Sequence, residues 1–238
     1  MGEGKFIGRR YIFVRFKGCP LNCIYCDEYK KDNLNFRVEE IPGSGIFKEY
    51  NNTITDNDII NNIENLKTSD LFAVSFTGGE PLLYIDKIKE YNEILQNLNY
   101  KTHLESNGIY PDKLDNIHFN YASIDLKLKE HFKNISDNQY NKLYLNELKT
   151  IEKLYNNNSN VYGKVVIMET TNVNVLKQIA KDLSNIGNIT LCIQPVSPFD
   201  NIKPPQQNKL LKIMEVCGEH LGDNVICTSQ IHKYLNML

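Results

Sequence analysis

Three cysteines near the start of the chain have the spacing of ligands to one metal–sulfur centre. Cys19, Cys23 and Cys26 form a Cys-x3-Cys-x2-Cys array directly after an apolar run, 11–16, that predicts a strand. Thiolate is the usual protein ligand of iron–sulfur clusters, and three such thiolates can hold three corners of a four-iron cube. The next cysteine is Cys192, so one iron would be left open to a reacting molecule. The array therefore predicts a catalytic [4Fe-4S] cluster rather than an electron-transfer cluster.

Zinc is the alternative occupant of a cysteine-rich loop. Structural zinc takes four ligands, commonly as two pairs of Cys or Cys and His. His103, His118 and His131 all lie on other predicted elements, so the pairs that zinc prefers are missing here. The spacing favours iron over zinc.

Composition narrows the class of protein. The 238 residues are 41% hydrophobic and 24% charged, which are ordinary values for one globular domain. A net charge of −2 gives no electrostatic footprint for nucleic acid. No apolar run approaches the roughly 18 residues that span a bilayer, so we expect no membrane partner. Six cysteines without a signal peptide indicate a reducing cytoplasm, and Cys192, Cys217 and Cys227 fit buried small hydrophobes.

Strand and helix patterns alternate through the rest of the chain. The predicted strands are 11–16, 71–76, 102–105, 121–126, 161–168, 189–193 and 224–227. Predicted helices start at Thr55 and then cover 85–98, 143–155, 173–183 and 205–221. This alternation predicts a single α/β domain with about six or seven parallel strands, forming a closed or partly open barrel. Residues 29–52 have no sustained period and are expected to be a long surface loop near the cluster.

Polar and glycine-rich motifs follow several predicted strands, where parallel α/β folds place their active sites. In Thr77-Gly78-Gly79-Glu80-Pro81 the glycines have no side chain, so a ligand can approach the backbone closely. The Glu80 carboxylate is suited to accept a hydrogen bond from an amino group. Glu105-Ser106-Asn107-Gly108, Asp125-Leu126-Lys127 and Gln194-Pro195 fit ribose and carboxylate contacts. Each of these motifs is also compatible with a plain turn.

The cysteine array, followed one strand later by Gly78-Gly79-Glu80-Pro81, resembles the signature of the radical S-adenosylmethionine (SAM) superfamily. In that superfamily SAM chelates the open iron, and reduction of the cluster cleaves SAM to a 5′-deoxyadenosyl radical. The resemblance implies SAM contacts from the cysteine loop and from the strand ends, at Tyr25, Asp27, Gly78, Gly79, Glu80, Ser106, Asn107, Asp125, Lys127 and Gln194.

Both ends of the chain narrow the resemblance. The opening Gly2-Glu3-Gly4 with Gly8, the stretch Phe13-Val14-Arg15-Phe16 and the tail Gln230-Ile231-His232-Lys233-Tyr234-Leu235 are similar to the 7-carboxy-7-deazaguanine synthase family. That family implies an open, reduced (β/α) barrel and conversion of 6-carboxy-5,6,7,8-tetrahydropterin to 7-carboxy-7-deazaguanine with loss of ammonia. The product is a precursor of the modified tRNA bases queuosine and archaeosine, although the enzyme itself handles a small molecule.

The resemblance also implies a substrate site, formed by Gly2, Glu3, Arg15, Thr77, His232 and Leu238. Arg15 would bind the substrate carboxylate with the bidentate geometry that lysine does not reproduce. We expect one domain over 1–238, with an insertion at 29–52 and a tail at 222–238 that closes over the substrate.

Mg²⁺, a flavodoxin- or ferredoxin-type reductant and a homodimer are further implications of the family. Family members usually have Cys-Asp-Thr at the last cluster ligand, where the threonine helps to hold Mg²⁺. This chain has Cys26-Asp27-Glu28, and carboxylate oxygen is a good ligand for Mg²⁺, so Glu28 is the expected metal ligand.

Two other classes of protein remain as alternatives. Asp125-Leu126-Lys127 weakly resembles the glycyl-radical activating enzymes, which act on a protein partner and do not need the Gly-Glu-Gly opening. An iron–sulfur electron carrier is the non-enzymatic alternative, and it should have a fourth cysteine near the array.

Overall fold

The computed structural model describes residues 1–26, 36–50, 54–198 and 200–235, and every structural statement below concerns these residues. The strands in chain order are β1 (Arg10–Phe16), β2 (Phe36–Glu39), β3 (Phe47–Tyr50), β4 (Leu71–Gly78), β5 (Thr102–Ser106), β6 (Tyr121–Asp125), β7 (Asn160–Ile167), β8 (Thr190–Pro195) and β9 (Val225–Cys227). The helices are α1 (Asp56–Asn65), α2 (Ile85–Asn97), α3 (Asp137–Asn156), α4 (Val173–Ile186), α5 (Gln207–Leu221) and α6 (Ile231–Tyr234).

Seven strands form one parallel sheet in the order β1-β4-β5-β6-β7-β8-β9. Because β1 and β9 are the two edges of this sheet, the barrel is open. The predicted α/β partial barrel of about six or seven parallel strands is confirmed, and the sheet has seven. In the described part of the chain no helix is long and apolar enough to cross a membrane.

The two faces of the sheet differ in chemistry because successive side chains of a strand point to opposite sides. The outer face packs on the helices through buried apolar residues, which include Val74, Phe76, Leu104, Ile124, Val165 and Ile193. The inner face carries the polar side chains, since the register sets Arg15 opposite Thr77 and Asp125 opposite Lys164. The sheet therefore directs the chemically active residues into the barrel.

Side-chain caps explain where two of the helices begin. Thr55 and Asp58 form the capping box that starts α1, as predicted. Helix α3 begins at Asp137 rather than at 143, because Ser136 and Gln139 form a second capping box. Its first turn is polar, so apolar periodicity alone placed the helix start too late.

Part of the expected surface loop at 29–52 is regular structure. Strands β2 and β3 pair in antiparallel fashion as a separate two-stranded sheet, while 27–35 and 51–53 lie outside the described residues. The expectation of a loop without secondary structure was wrong for this segment. Phe36-Arg37-Val38-Glu39 does alternate apolar and polar side chains, but each strand has only four residues, so the signal is too short to stand out in the sequence.

The N-terminal segment fills the amino end of the barrel. The ring of Phe6 lies 4.7 Å from the ring of Tyr121 and 5.8 Å from that of Tyr162. Gly4 has a φ of +60°, and a Cβ there would approach the Tyr162 ring to 2.6 Å. Glycine is therefore required at this position, and the segment carries Glu3 onto the inner face.

Candidate active site

The cysteine loop follows β1 at the carboxyl edge of the sheet and docks on the loop after β6. Cys23 forms an antiparallel bridge with Phe132, and the Ile24 N–H donates to the His131 carbonyl at 2.9 Å. Within the described residues, no three His, Cys, Asp or Glu side chains converge on a point that suits one metal ion. The three thiols of a cube bind three different irons, so they do not need to converge on one point.

The surroundings of the thiols suit ligands to an iron–sulfur cluster. Burial raises the pKa of Cys19, and it raises that of Cys23 to about 11, while the nearby Lys127 ammonium opposes both shifts. The Asn107 side-chain amide donates to the Cys19 sulfur at 3.5 Å. Hydrogen bonds to ligand sulfur are one way in which proteins tune such clusters. The donor set therefore fits a three-thiolate [4Fe-4S] cluster.

The Gly-Gly-Glu loop after β4 lies against the cysteine loop. The Gly79 N–H donates to the Phe16 carbonyl at 2.8 Å, and the Glu80 N–H donates to the Gly18 carbonyl at 2.7 Å. A Cβ on Gly79 would lie 2.1 Å from the Gly18 oxygen. Glycine at this position is therefore required by the contact between the two loops.

Glu80 is a fully buried carboxylate that joins the loops after β4 and β5. Its Oε1 accepts from the Leu82 N–H at 2.9 Å and from the Ser106 hydroxyl at 2.7 Å, and its Oε2 accepts from the Asn107 N–H at 2.8 Å. Burial raises the pKa of Glu80, and these three hydrogen bonds oppose that shift. Since Oε2 accepts only one of them, it retains capacity for the amino group of a ligand.

His131 holds the cysteine loop to the sheet. Its Nε2 lies 3.0 Å from the Val166 carbonyl, which can only accept, so Nε2 carries the proton. Its Nδ1 then accepts from the Leu128 N–H at 2.9 Å and from the Tyr25 hydroxyl at 3.1 Å. Burial, reinforced by the Lys127 charge, lowers the pKa of His131 to about 3. A neutral imidazole thus fixes Tyr25 within the cysteine loop, a role that no motif in the sequence indicates.

Asp125 lies between two lysines on the inner face. Lys127 Nζ is 2.9 Å from one carboxylate oxygen, and Lys164 Nζ is 3.2 Å from the other. Burial alone would raise the pKa of Asp125, but the two ammonium groups outweigh it and lower that pKa to about 2. Lys164 was missed in the sequence, although a single charge inside the apolar strand 161–168 is a signal of a buried functional group.

The two ends of the chain meet at Glu3. His232 Nδ1 lies 2.9 Å from Glu3 Oε1, and Lys164 Nζ lies 3.5 Å from Glu3 Oε2. Burial would raise the pKa of Glu3, but Lys164 and then His232 lower it to about 2. The Gln230 side-chain amide donates to the same carboxylate at 3.5 Å. The Ser197 hydroxyl in turn donates to the Gln230 side-chain oxygen at 2.6 Å.

Arg15 and Thr77 lie near the amino terminus of the chain. They are opposite each other in the β1–β4 register, and the Thr77 hydroxyl donates to Glu105 at 3.0 Å. Burial lowers the pKa of the Met1 amino group, which is close enough to feel the charges of Glu3, Arg15 and Glu105. The structure thus brings Arg15, Thr77, Glu3 and, through Glu3, His232 to one end of the barrel.

The remaining predicted residues fall into two groups. Gln194 is buried at the end of β8, and its amide oxygen has no hydrogen-bond partner among the described residues. An orphaned acceptor at a strand end suits a ligand donor. Asp27, Glu28 and Leu238 lie outside the described residues, so their predicted roles stay predictions.

Comparison with known proteins identifies the class. The radical SAM superfamily model matches residues 13–183, so the protein is a radical SAM enzyme, a class that uses a [4Fe-4S] cluster and SAM. One relative, 65% identical over 238 residues and covering 100% of this chain and 96% of its own, is a 7-carboxy-7-deazaguanine synthase of Methanocaldococcus jannaschii. A synthase of the same name from Methanothermobacter thermautotrophicus is 35% identical, over 99% of this chain and 93% of its own. The chain belongs to the 7-carboxy-7-deazaguanine synthase family.

A solved structure of anSMEcpe with bound AdoMet shares the fold. It aligns over 95% of this chain and 64% of its own with a TM-score of 0.52 and 14% sequence identity. The predicted family and the prediction of an enzyme are both confirmed, against the alternative of an electron carrier.

Proposed function

We propose that this protein converts 6-carboxy-5,6,7,8-tetrahydropterin to 7-carboxy-7-deazaguanine with loss of ammonia. The observation that carries the proposal is the 65% identity, along the whole chain, with a synthase of that name. The product has the composition of the substrate minus ammonia, so the reaction needs no net oxidant. When bound, the cluster and SAM would supply the radical chemistry that removes a hydrogen atom from the carbon that bears the carboxylate.

The cofactor side of the site lies at the carboxyl edge of β1, β4 and β5. Cys19, Cys23 and Cys26 hold the cluster, and Glu80 accepts from the SAM amino group through its less occupied oxygen. We assign further SAM contacts to residues of the cysteine loop and the strand ends, namely Tyr25, Asp27, Gly78, Gly79, Ser106, Asn107, Asp125, Lys127 and Gln194. Of these, Gln194 has the clearest support, because its buried oxygen lacks a partner among the described side chains and backbone.

The substrate side lies where the two chain ends meet. A pterin presents N–H donors on its 2-aminopyrimidinone edge, and the ionised Glu3 carboxylate is the matching acceptor. Gly2 offers backbone groups beside it, and His232, held at 2.9 Å from Glu3, closes the site from the tail. Arg15 binds the substrate carboxylate, and Thr77 offers a hydroxyl on the neighbouring strand.

A metal ion, the tail of the chain and a reductant complete the proposed enzyme. Glu28 holds Mg²⁺, since a carboxylate supplies the hard oxygen that this ion prefers. The tail 222–238 closes the site with the Leu238 carboxylate near the pterin, and the segment 29–52 is an insertion near the cluster. The enzyme works as a homodimer with a flavodoxin- or ferredoxin-type reductant, and its product supplies queuosine or archaeosine synthesis.

An anaerobic assay tests the proposed reaction. The cluster is reconstituted, and reductant, SAM and 6-carboxytetrahydropterin are added, with and without Mg²⁺. We expect 7-carboxy-7-deazaguanine and ammonia in equal amounts. SAM cleavage without this product would overturn the substrate assignment and leave the superfamily intact. An intact cluster that cleaves no SAM would also contradict the roles given to the SAM contacts.

A further inference from the structure

Lys164 is a buried cation in the centre of the inner face. It lies in the middle of β7, opposite Asp125 on one neighbouring strand and Cys192 on the other. Its side chain is 12% exposed, and a lysine so far removed from water is costly unless it is paired. Its placement therefore calls for an explanation beyond the packing of an otherwise apolar strand.

Acidic groups from three different elements face this ammonium. Asp125 on β6 lies 3.2 Å away and Glu3 of the N-terminal segment lies 3.5 Å away, while Glu105 on β5 feels its charge. Lys127 also pairs with Asp125 but makes no contact with Glu3 among the described ion pairs. Lys164 is thus the cation that bridges the N-terminal segment and the end of β6.

We infer that Lys164 is a positioning residue that couples the substrate side of the site to the cofactor side. This inference rests on the proposed function, in which Glu3 receives the pterin edge and Asp125 contacts SAM. The ammonium holds Glu3 in the geometry and charge state that accepts the pterin N–H groups. The same ammonium fixes Asp125, so the pterin and SAM are held in a fixed position relative to each other. This placement would bring the reacting carbon of the pterin to the radical.

A structural ion pair would have a different signature. If the ion pair were only structural, replacing Lys164 would lower the melting temperature but leave the ligand affinity of the folded variant unchanged. A positioning residue that acts through Glu3 must change pterin affinity, and its effect must vanish once Glu3 has lost its charge.

The test measures binding of 6-carboxypterin, the oxidised analogue, to the cluster-loaded protein with SAM. Equilibrium dialysis gives the Kd, with free pterin read by its fluorescence, and circular dichroism checks folding. Lys164→Met is expected to raise this Kd roughly 10- to 100-fold, the range for removal of one charged partner. The matched control is Lys177→Met, which removes an exposed pair with Glu219 on the outer helices and should stay within about twofold of wild type.

A double variant separates coupling from simple damage. Glu3→Gln with Lys164→Met should bind no more than about twofold more weakly than the weaker single variant. Lys164→Gln, which keeps a hydrogen-bond donor without the charge, serves as the second variant if Lys164→Met does not fold.

The outcomes distinguish this inference from the proposed function. Wild-type affinity in a folded Lys164→Met or Lys164→Gln protein, or multiplicative effects in the double variant, would overturn the role of Lys164 alone. Wild-type protein that binds the pterin but makes no product would contradict the proposed reaction and leave the coupling intact. Absence of pterin binding in the wild type would overturn both.

Discussion

His232 and Glu3, 229 positions apart in the sequence, lie 2.9 Å from each other on the inner face of the barrel. This contact joins the short helix α6 to the N-terminal segment, and Gln230 reinforces it from the same tail. The ends of a chain are usually its least ordered parts unless a specific contact ties them down. Here the contact holds both ends where the proposed substrate site lies.

The Glu3 contacts predict a specific dependence of stability on pH. The folded pKa of Glu3 is about 2, below its ordinary value of 4.5, so the unfolded chain binds more protons between these values. Stability from Glu3 is therefore present above about pH 4.5 and is lost as pH falls toward 2, amounting to about 3 kcal/mol in total. Urea unfolding of the apoprotein at several pH values should show a shallower acid loss in Glu3→Gln than in wild type. Parallel curves for the two proteins would contradict this prediction.

A side chain at Gly79 should clash with the cysteine loop, and Gly218 offers a matched control. A Cβ on Gly79 would lie 2.1 Å from the Gly18 carbonyl, a backbone atom that cannot move without shifting the cysteine loop. We expect Gly79→Ala to lose about 1–3 kcal/mol of unfolding free energy and to retain less iron per chain. Gly218→Ala in α5, where a Cβ would meet nothing within 4 Å, should be neutral or stabilising by up to about 1 kcal/mol. Equal stability and iron content in the two variants would argue against the loop contact.

The seven strands of the parallel sheet were predictable because their signal is local. Apolar runs such as 71–76 and 161–168 carry both the strand and its buried outer face in adjacent residues, and the motifs follow the strand ends. The family resemblance depended on such local motifs as well. Helix α3 was placed too late because its first turn is polar.

The partners of buried charges were not predictable, because they depend on the register between strands. Lys164 is 161 positions from Glu3 and meets Asp125 only through the pairing of β6 with β7. His131 likewise has no motif around it, and its partners come from the cysteine loop and β7. The sequence therefore indicated which residue types matter but not the network that holds them.

Removal of His131 should loosen the cysteine loop. His131→Ala would leave a buried N–H at Leu128, a buried carbonyl at Val166 and the Tyr25 hydroxyl without this partner. Each such group costs about 1–3 kcal/mol, so we expect lower stability and a clear loss of cluster after reconstitution. The absorbance of the cluster and the iron content per chain measure this effect. His118→Ala removes an exposed imidazole that hydrogen-bonds to the Asn157 carbonyl, far in sequence from the cysteine loop, and it should keep full iron content.

Substitution of Arg15 by lysine should reduce product formation much more than SAM cleavage. Arg15 lies opposite Thr77 near the end of the edge strand β1. The Glu80 carboxylate is held by other residues, namely Leu82, Ser106 and Asn107. Because a guanidinium can grip a carboxylate with two parallel hydrogen bonds and an ammonium cannot, Arg15→Lys should lose the substrate orientation and keep the cluster. We expect product formation to fall about 100-fold or more, with SAM cleavage reduced less than about tenfold, so that 5′-deoxyadenosine accumulates without product. Both products are quantified from the same anaerobic reaction by liquid chromatography. An equal loss of the two activities would argue that Arg15 supports the cofactor side or the fold rather than the substrate carboxylate.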